Sequence, residues 1–332
     1  MNNFYDKVLN NKLFIVYKTS MLFQSTFFLY IKALKFIITK KGDVMGKYLF
    51  NTEKLLEIDG SKIIRFDENI FKIKKAINIV SKETNVPKKF IFKPPYKYFL
   101  DHWFKVDNEW YFYKGYQVSM MLINELLGEK VSEYFDLETI HYRLAKFNYQ
   151  GNSEIGLASK SFCQSGFKYK RAHELHLEEK EDLSVVETIR KICKNDQEYK
   201  TLLLDIKKMF VRDFMCSEND RHEGNFLFKI NSTGIRLAPL FDYEDSFIQS
   251  NPLCYHNWLG SIDLNSFACI ETIQKDPEWQ ELFEKAMQLN IPAIIEEIKD
   301  ENQLVIPLDY TKYYIDSVDC IKNLIKSNKL IK

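Results

Sequence analysis

Two apolar runs joined by a four-residue turn, FLFKI (226–230), NSTG (231–234) and IRLAPLFD (235–242), constrain this chain more tightly than any other feature. A glycine-containing turn between such runs reads as a β-hairpin. The hairpin follows a helical stretch, 197–215, in which Leu203, Ile206, Phe210 and Phe214 advance by three, four and four and so share one apolar face. Between helix and hairpin lies SENDRHEGNF (217–226), with Asp220, Arg221, His222 and Asn225 packed into ten residues. Antiparallel pairing carries Asn225, before the first strand, and Asp242, after the second, to the same end of the ribbon, where neighbouring strands lie about 4.8 Å apart. Asp220 sits in the loop that feeds that end.

The rest of the chain divides by periodicity. Residues 67–82 read as a helix, and KKFIF (88–92), HWFKV (102–106) and WYFYKG (110–115) have the aromatic richness of strands, the last two joined by the turn DNE. A helix over 119–135 follows, then two more strands, HYRLAKF (141–147) and IGLASKSF (155–162), joined by the loop NYQGNSE. Beyond a polar run at 164–181 the chain reads mostly as helices: 184–194, 197–215, and from Pro277 onward, with the stripe Ile315, Val318, Ile321 and Ile325 near the end. The expected fold class is therefore α+β, a small antiparallel-β lobe with one helix over 46–163 followed by a larger, mostly helical lobe over 164–332. Residues 1–45 are expected to be an extension whose role the sequence does not fix.

Composition narrows the function classes. Lys+Arg 47 against Asp+Glu 46 gives a formal charge of +1, so no global field exists for gripping a nucleic-acid backbone, and no direct nucleic-acid partner is expected. Six cysteines, at 163, 193, 216, 254, 269 and 320, show no Cys-x-x-Cys pair, which favours free thiols in a reducing, cytoplasmic setting, with secretion as an effector compatible. A metal site from Cys163, His173 and His176 lacks a second cysteine at ligand spacing and is set aside. Residues 13–38 are apolar enough to suggest a membrane segment, but their longest uncharged run, Thr19–Ile31, has 13 residues, short of the ~20 a spanning helix needs. No small-residue cleavage site follows it, so neither a membrane span nor a secretory signal is expected.

Three oxygen-bearing side chains converging where a helix hands over to a hairpin suit a hard cation such as Mg²⁺, which keeps the rest of its shell for water and phosphates. Asp220 and Asn225 are five positions apart, the interval between catalytic Asp and metal-binding Asn in kinase catalytic loops, and Asp242 follows 17 residues later. Singly, each is an ordinary turn residue. Together, in this order, they point to phosphoryl transfer.

DRHEGNF followed by LAPLFD resembles the HipA-like serine/threonine kinases, CtkA-type effectors included, most strongly over 200–247 and more weakly back to about residue 86. The resemblance implies a protein-kinase-like two-lobe fold, ATP and Mg²⁺ as cofactors, and a protein substrate carrying Ser or Thr, the chain itself included. It implies Asp220 as the base that accepts the acceptor hydroxyl's proton, and Asn225 and Asp242 as metal ligands. Its strand lysine corresponds to Lys114 in YFYKG and its helix glutamate to Glu125, with Lys93 and Lys97 as alternative cations. Arg221 and His222 would orient the loop, and Asp245 and Ser246 would belong to an activation-segment equivalent. The stretch 86–113 contains no glycine, so PPYKYF (94–99) would cover the phosphates with backbone amides and Lys97, and a nucleotide-binding pseudokinase stays open as an alternative. Because lipid kinases share the Asp-Arg-His-x-x-Asn loop, a phosphoinositide or small-molecule kinase is the other; no basic lipid-facing cluster is evident, which favours protein. An antitoxin-like or host partner is compatible with the resemblance and is not specified by the sequence.

Overall fold

The computed structural model describes residues 55–59, 70–91, 101–115, 119–149, 151–179, 185–218, 220–221, 224–247, 254–257, 260–263, 271 and 273–331. Residues Asn51–Lys332 form one compact unit. Expectations on residues 1–45, Lys93, Lys97 and His222 fall outside the described residues. Among the described residues, no helix is long and apolar enough to cross a membrane.

The first half builds a five-stranded sheet in the order β1-β4-β5-β3-β2, from β1 (Leu56–Asp59), β2 (Asp101–Val106), β3 (Glu109–Gly115), β4 (Tyr142–Tyr149) and β5 (Asn152–Lys160). Every neighbouring pair is antiparallel except β1 with β4. The β2–β3 turn puts both Asp107 (φ 49°) and Asn108 (φ 66°) in the left-handed region, as a two-residue hairpin of matching twist requires. Side chains alternate as period two demands. Phe104, Tyr111 and Tyr113 join Ile58, Ala145, Phe147 and Ala158 on one side. Trp103, Trp110 and Phe112 join Val80, Ile91, Tyr169 and Leu227 on the other.

Helix α1 (Ile70–Thr84) and the single turn α2 (Lys88–Ile91) precede β2, and α3 (Ser119–Tyr134) follows β3. The expected strand at 88–92 is thus corrected: KKFI winds into a helical turn, and Phe92 falls outside the described residues. Asn85, at φ 61°, breaks α1, and the Phe90 amide bonds back to the Pro87 carbonyl at 2.8 Å. Burial of Ile91 in the core outweighs the aromatic strand propensity. The loop expected at 148–154 is shorter than its polar letters suggest, because β4 and β5 stay paired out to Tyr149 opposite Asn152. Asn148 and Ser153 face each other across the strands, bonded at 2.6 Å.

The second half is mostly helical: α4 (Ala172–Glu179), α5 (Val185–Ile192), α6 (Asp196–Met215), α7 (Pro277–Met287), α8 (Ile291–Asn302) and α9 (Leu308–Ser327). Asn195 caps α6 by accepting the Glu198 amide, while Glu198 returns its carboxylate to the amides of Lys194 and Ile235. The hairpin β7 (Leu227–Ile230) and β8 (Ile235–Leu237) gains an edge strand, β6 (Lys168–Arg171), from the run expected to be merely polar. A further hairpin, β9 (Cys254–Asn257) and β10 (Gly260–Asp263), stands apart in its own two-stranded sheet.

Candidate active site

The β7–β8 hairpin sets the site. Its register, Phe228 opposite Leu237 and Ile230 opposite Ile235, brings the chain before β7 beside the chain after β8. Arg221, almost wholly buried, locks the two together: one guanidinium nitrogen donates to the carbonyls of both Asn225 (2.9 Å) and Phe241 (2.8 Å), and Nε donates to Asp213 of α6 (3.1 Å). Asn225 is buried, and its side-chain amide donates to both the carbonyl and the carboxylate of Asp220, each at 2.7 Å. Asp220 itself is an exposed residue.

Asp242 holds a left-handed backbone at φ 66°, a conformation that costs a non-glycine residue about 1 kcal/mol or more and that Asp tolerates better than most. From there its carboxylate meets the Lys114 ammonium at 2.5 Å. Lys114 projects from β3 and also contacts Glu125 of α3 at 3.1 Å and Glu244 at 2.7 Å. Glu125 is completely buried, and its other oxygen accepts from the Tyr142 hydroxyl (2.6 Å) and the Tyr243 amide (2.8 Å). Both oxygens of the carboxylate are therefore engaged, which fixes its rotamer against the lysine.

The sequence-derived residues thus fall into two bonded groups: Lys114, Glu125 and Asp242 in one, Asp220 and Asn225 in the other. Asp245 lies within electrostatic reach of both. Burial raises its carboxyl above the ordinary range, and the charges of Asp220 and Asp242 add to that. Burial likewise pushes Glu244 up to about 7, with Lys114 opposing and Asp242 reinforcing the rise. Carboxylate oxygens of Glu125, Asp242 and Glu244 come within 4.8 Å of one another. Three carboxylates around one ammonium leave surplus negative charge, and a hard divalent cation is the species that such a donor set fits.

Beneath the site lies a layer of charge that periodicity did not reveal. Arg212, fully buried on α6, bonds Asp213 at 2.7 Å and stacks its guanidinium 4.2 Å from the centre of the Tyr243 ring. The Tyr243 hydroxyl bonds Thr139 (2.7 Å) and accepts from Ser132 of α3 (3.1 Å), pinning the residue after Asp242 to that helix. The close approach needs Gly128, where a Cβ would sit 2.4 Å from Tyr243 Cγ and 2.6 Å from an Arg212 nitrogen. Glu218, also buried, bonds the Asp220 amide and the Ser246 hydroxyl. The one sequence signal for this layer was the density of charge in 212–221.

No protein-family model matches the sequence, and no curated protein matches it. Solved structures do. The Helicobacter pylori proinflammatory kinase CtkA superposes with a TM-score of 0.52 at 16% identity, covering 69% of this chain and 92% of its own. HipA of Shewanella oneidensis MR-1, determined with HipB and operator DNA, superposes with a TM-score of 0.50 at 11% identity, covering 85% of this chain and 74% of its own. This chain has their fold.

Proposed function

We propose that this chain is a HipA-like serine/threonine protein kinase that moves the γ-phosphoryl group of ATP to a protein hydroxyl, its own included. The observation that carries the reading is the Lys114 ammonium held between Glu125 of α3 and Asp242 beyond the hairpin, with Asp220 and Asn225 bonded to each other in the adjoining loop. In this reading 46–163 is a nucleotide-binding lobe and 164–332 a catalytic lobe, with 1–45 an extension. The likeness to the kinase CtkA and to HipA supports the same conclusion at the level of fold.

Lys114 would hold the nucleotide phosphates, its direction set by Glu125, and Lys97 would add a second cation from the segment before β2. A magnesium ion would supply charge neutralisation on the phosphates when bound, with Asn225 and Asp242 as the residues to hold it. Asp220, exposed and steadied by the Asn225 amide, accepts the proton of the attacking hydroxyl. As the new bond from that oxygen to phosphorus forms, the bond to the β-phosphate oxygen breaks and ADP leaves with its electrons. Positioning and electrostatics do nearly all of this work.

A second reading has specific support: Lys114 already faces three carboxylates, and 86–113 contains no glycine. It makes the chain a nucleotide-binding module without turnover. Labelled ATP with Mg²⁺ and protein acceptors separates the two. The kinase reading predicts incorporation by wild type and none by Asp220→Ala; equal incorporation by both ends it. ATP binding without transfer favours the module, and transfer to phosphoinositide vesicles in place of protein favours a lipid kinase.

A further inference from the structure

Glu218 sits at the turn that ends α6, and its side chain is 1% exposed. Ser217 takes a left-handed backbone (φ 48°), which directs the Glu218 amide back to the Asp213 carbonyl at 2.9 Å and the carboxylate into the protein. One carboxylate oxygen accepts the Asp220 amide at 2.9 Å. The other accepts the Ser246 hydroxyl at 2.5 Å and lies 3.9 Å from Arg212. Ser246 is itself fully buried and bonds the Tyr243 carbonyl at 3.0 Å, while the Phe247 amide donates to the Cys216 carbonyl. The segment that begins at Asp242 is therefore docked on the loop that carries Asp220, and one buried carboxylate touches both.

We propose that Glu218 is a positioning residue that fixes Asp220 relative to Asp242, holding the main chain of the first with one oxygen and, through Ser246, the segment of the second with the other. The inference rests on the kinase reading of Asp220 and Asp242. Neither hydrogen bond reaches a reacting atom; each sets a distance that the chemistry needs, and a misplacement of ~1 Å there is worth as much as 10²-fold in rate. The groups that face Glu218 fit a fixed strut. Arg212, Asp213 and Cys216 approach from α6 and its end, Arg221 from the loop, and Ser246 from the Asp242 segment. Two arginines against Asp213 and Glu218 balance in charge, so an ionised Glu218 completes the layer. Burial pushes its carboxyl up to about 7 against the pull of Arg221, so this balance is reached only near neutral pH.

Steady-state kinetics on Glu218→Ala and Glu218→Gln test the strut. Alanine removes both bonds, and the expected result is a 10- to 100-fold drop in kcat with KM for ATP within about threefold of wild type, because Lys114 and Glu125 are untouched. Glutamine keeps an acceptor for the Asp220 amide and loses the charge. Its kcat should stay within about threefold of wild type across the pH range, because the acceptor for the Asp220 amide is what sets the position. Ser246→Ala, which removes one tether alone, should cost a smaller, three- to tenfold drop. A kcat for Glu218→Ala within threefold of wild type, or a loss carried by KM, overturns the proposal. Amide hydrogen exchange at Asp220 supplies a readout that needs no catalysis: at least tenfold faster in Glu218→Ala than in wild type, and near wild type in Glu218→Gln. If wild type transfers no phosphoryl group, the kinase reading fails while the exchange still decides the strut. Unchanged exchange in the alanine variant rejects it.

Discussion

Replacing Gly128 by alanine sets two effects of opposite sign against each other. Gly128 lies inside α3, where alanine favours a helix by about 1 kcal/mol over glycine. Against that, the new methyl group would stand 2.4 Å from Tyr243 Cγ, 2.5 Å from Tyr243 Cβ and 2.6 Å from an Arg212 nitrogen, where ordinary contact begins near 3.4 Å. None of the three can yield cheaply. Tyr243 is anchored by Ser132 and Thr139, and Arg212 is fully buried between Asp213 and the tyrosine ring. Overpacking of this kind costs about 1–3 kcal/mol, occasionally more, and here the strained atoms are themselves hydrogen-bonded. Set against the helix gain, crowding leaves a net loss of up to ~2 kcal/mol, which for a domain of this size lowers Tm by up to roughly 4–8 °C. Because Tyr243 follows Asp242 and its amide bonds Glu125, the displacement also separates the Lys114 clamp, so phosphotransfer should fall more than stability alone accounts for. Thermal and denaturant unfolding of the two proteins, beside ATP turnover, checks this. A Gly128→Ala protein as stable as wild type, with unchanged turnover, would refute the close packing of α3 against Tyr243.

Lys114→Met removes the ammonium from among three carboxylates, and kcat/KM for ATP should fall by about 10²-fold or more while the protein stays folded, checked by kinetics beside circular dichroism. Tyr142→Phe deletes the hydroxyl that bonds the buried Glu125 carboxylate at 2.6 Å; chemical denaturation should show a loss of ~1.5–3 kcal/mol, as for other bonds to a charged group. Glu218 makes stability depend on pH in a defined direction. Its folded carboxyl is raised, chiefly by burial, from 4.5 to about 7, so between those values the native state keeps a proton that the unfolded chain has released. This contribution therefore falls as pH rises through that window and is level above it. In denaturation series across pH, the stability of Glu218→Gln relative to wild type should climb by up to ~1.4 kcal/mol per pH unit from about 4.5 to 7 and then flatten.

Legibility from sequence followed the physics of each segment. The β7–β8 hairpin and α6 were readable because alternation, a glycine turn and a three-four-four stripe are local signals. The pairing of β2 with β3 was readable from aromatic runs around the short turn DNE. KKFI at 88–91 was misread because its fate depends on Pro87, on the left-handed Asn85 and on burial of Ile91 against distant strands. β6 was missed because KYKR offers one core residue, Tyr169, and owes its strand to pairing with β7. In the site, Asp220, Asn225 and Asp242 stood out by their intervals, and Lys114 with Glu125 stood out through a family resemblance. The Asn225 side-chain nitrogen donates to Asp220, a bond that spacing could not foretell. The partners of Arg221 in the buried layer, Arg212, Asp213 and Glu218, were hidden because polar letters in a helix and loop read as solvated. Here the C-terminal half of α6 is buried nearly all round, so those charges must find one another inside the protein. Glu244 drew no notice, since a single acid after Asp242 carries no period.

Intact-protein mass spectrometry of the purified chain after incubation with ATP and Mg²⁺, wild type beside Asp242→Ala, decides whether this site transfers phosphoryl groups. Wild type should gain phosphoryl groups on serine or threonine only with both ATP and Mg²⁺ present, and the variant, lacking a carboxylate of the Lys114 clamp and a proposed metal ligand, should gain none. Equal phosphorylation of the two proteins, or gain without a divalent ion, would contradict the kinase reading.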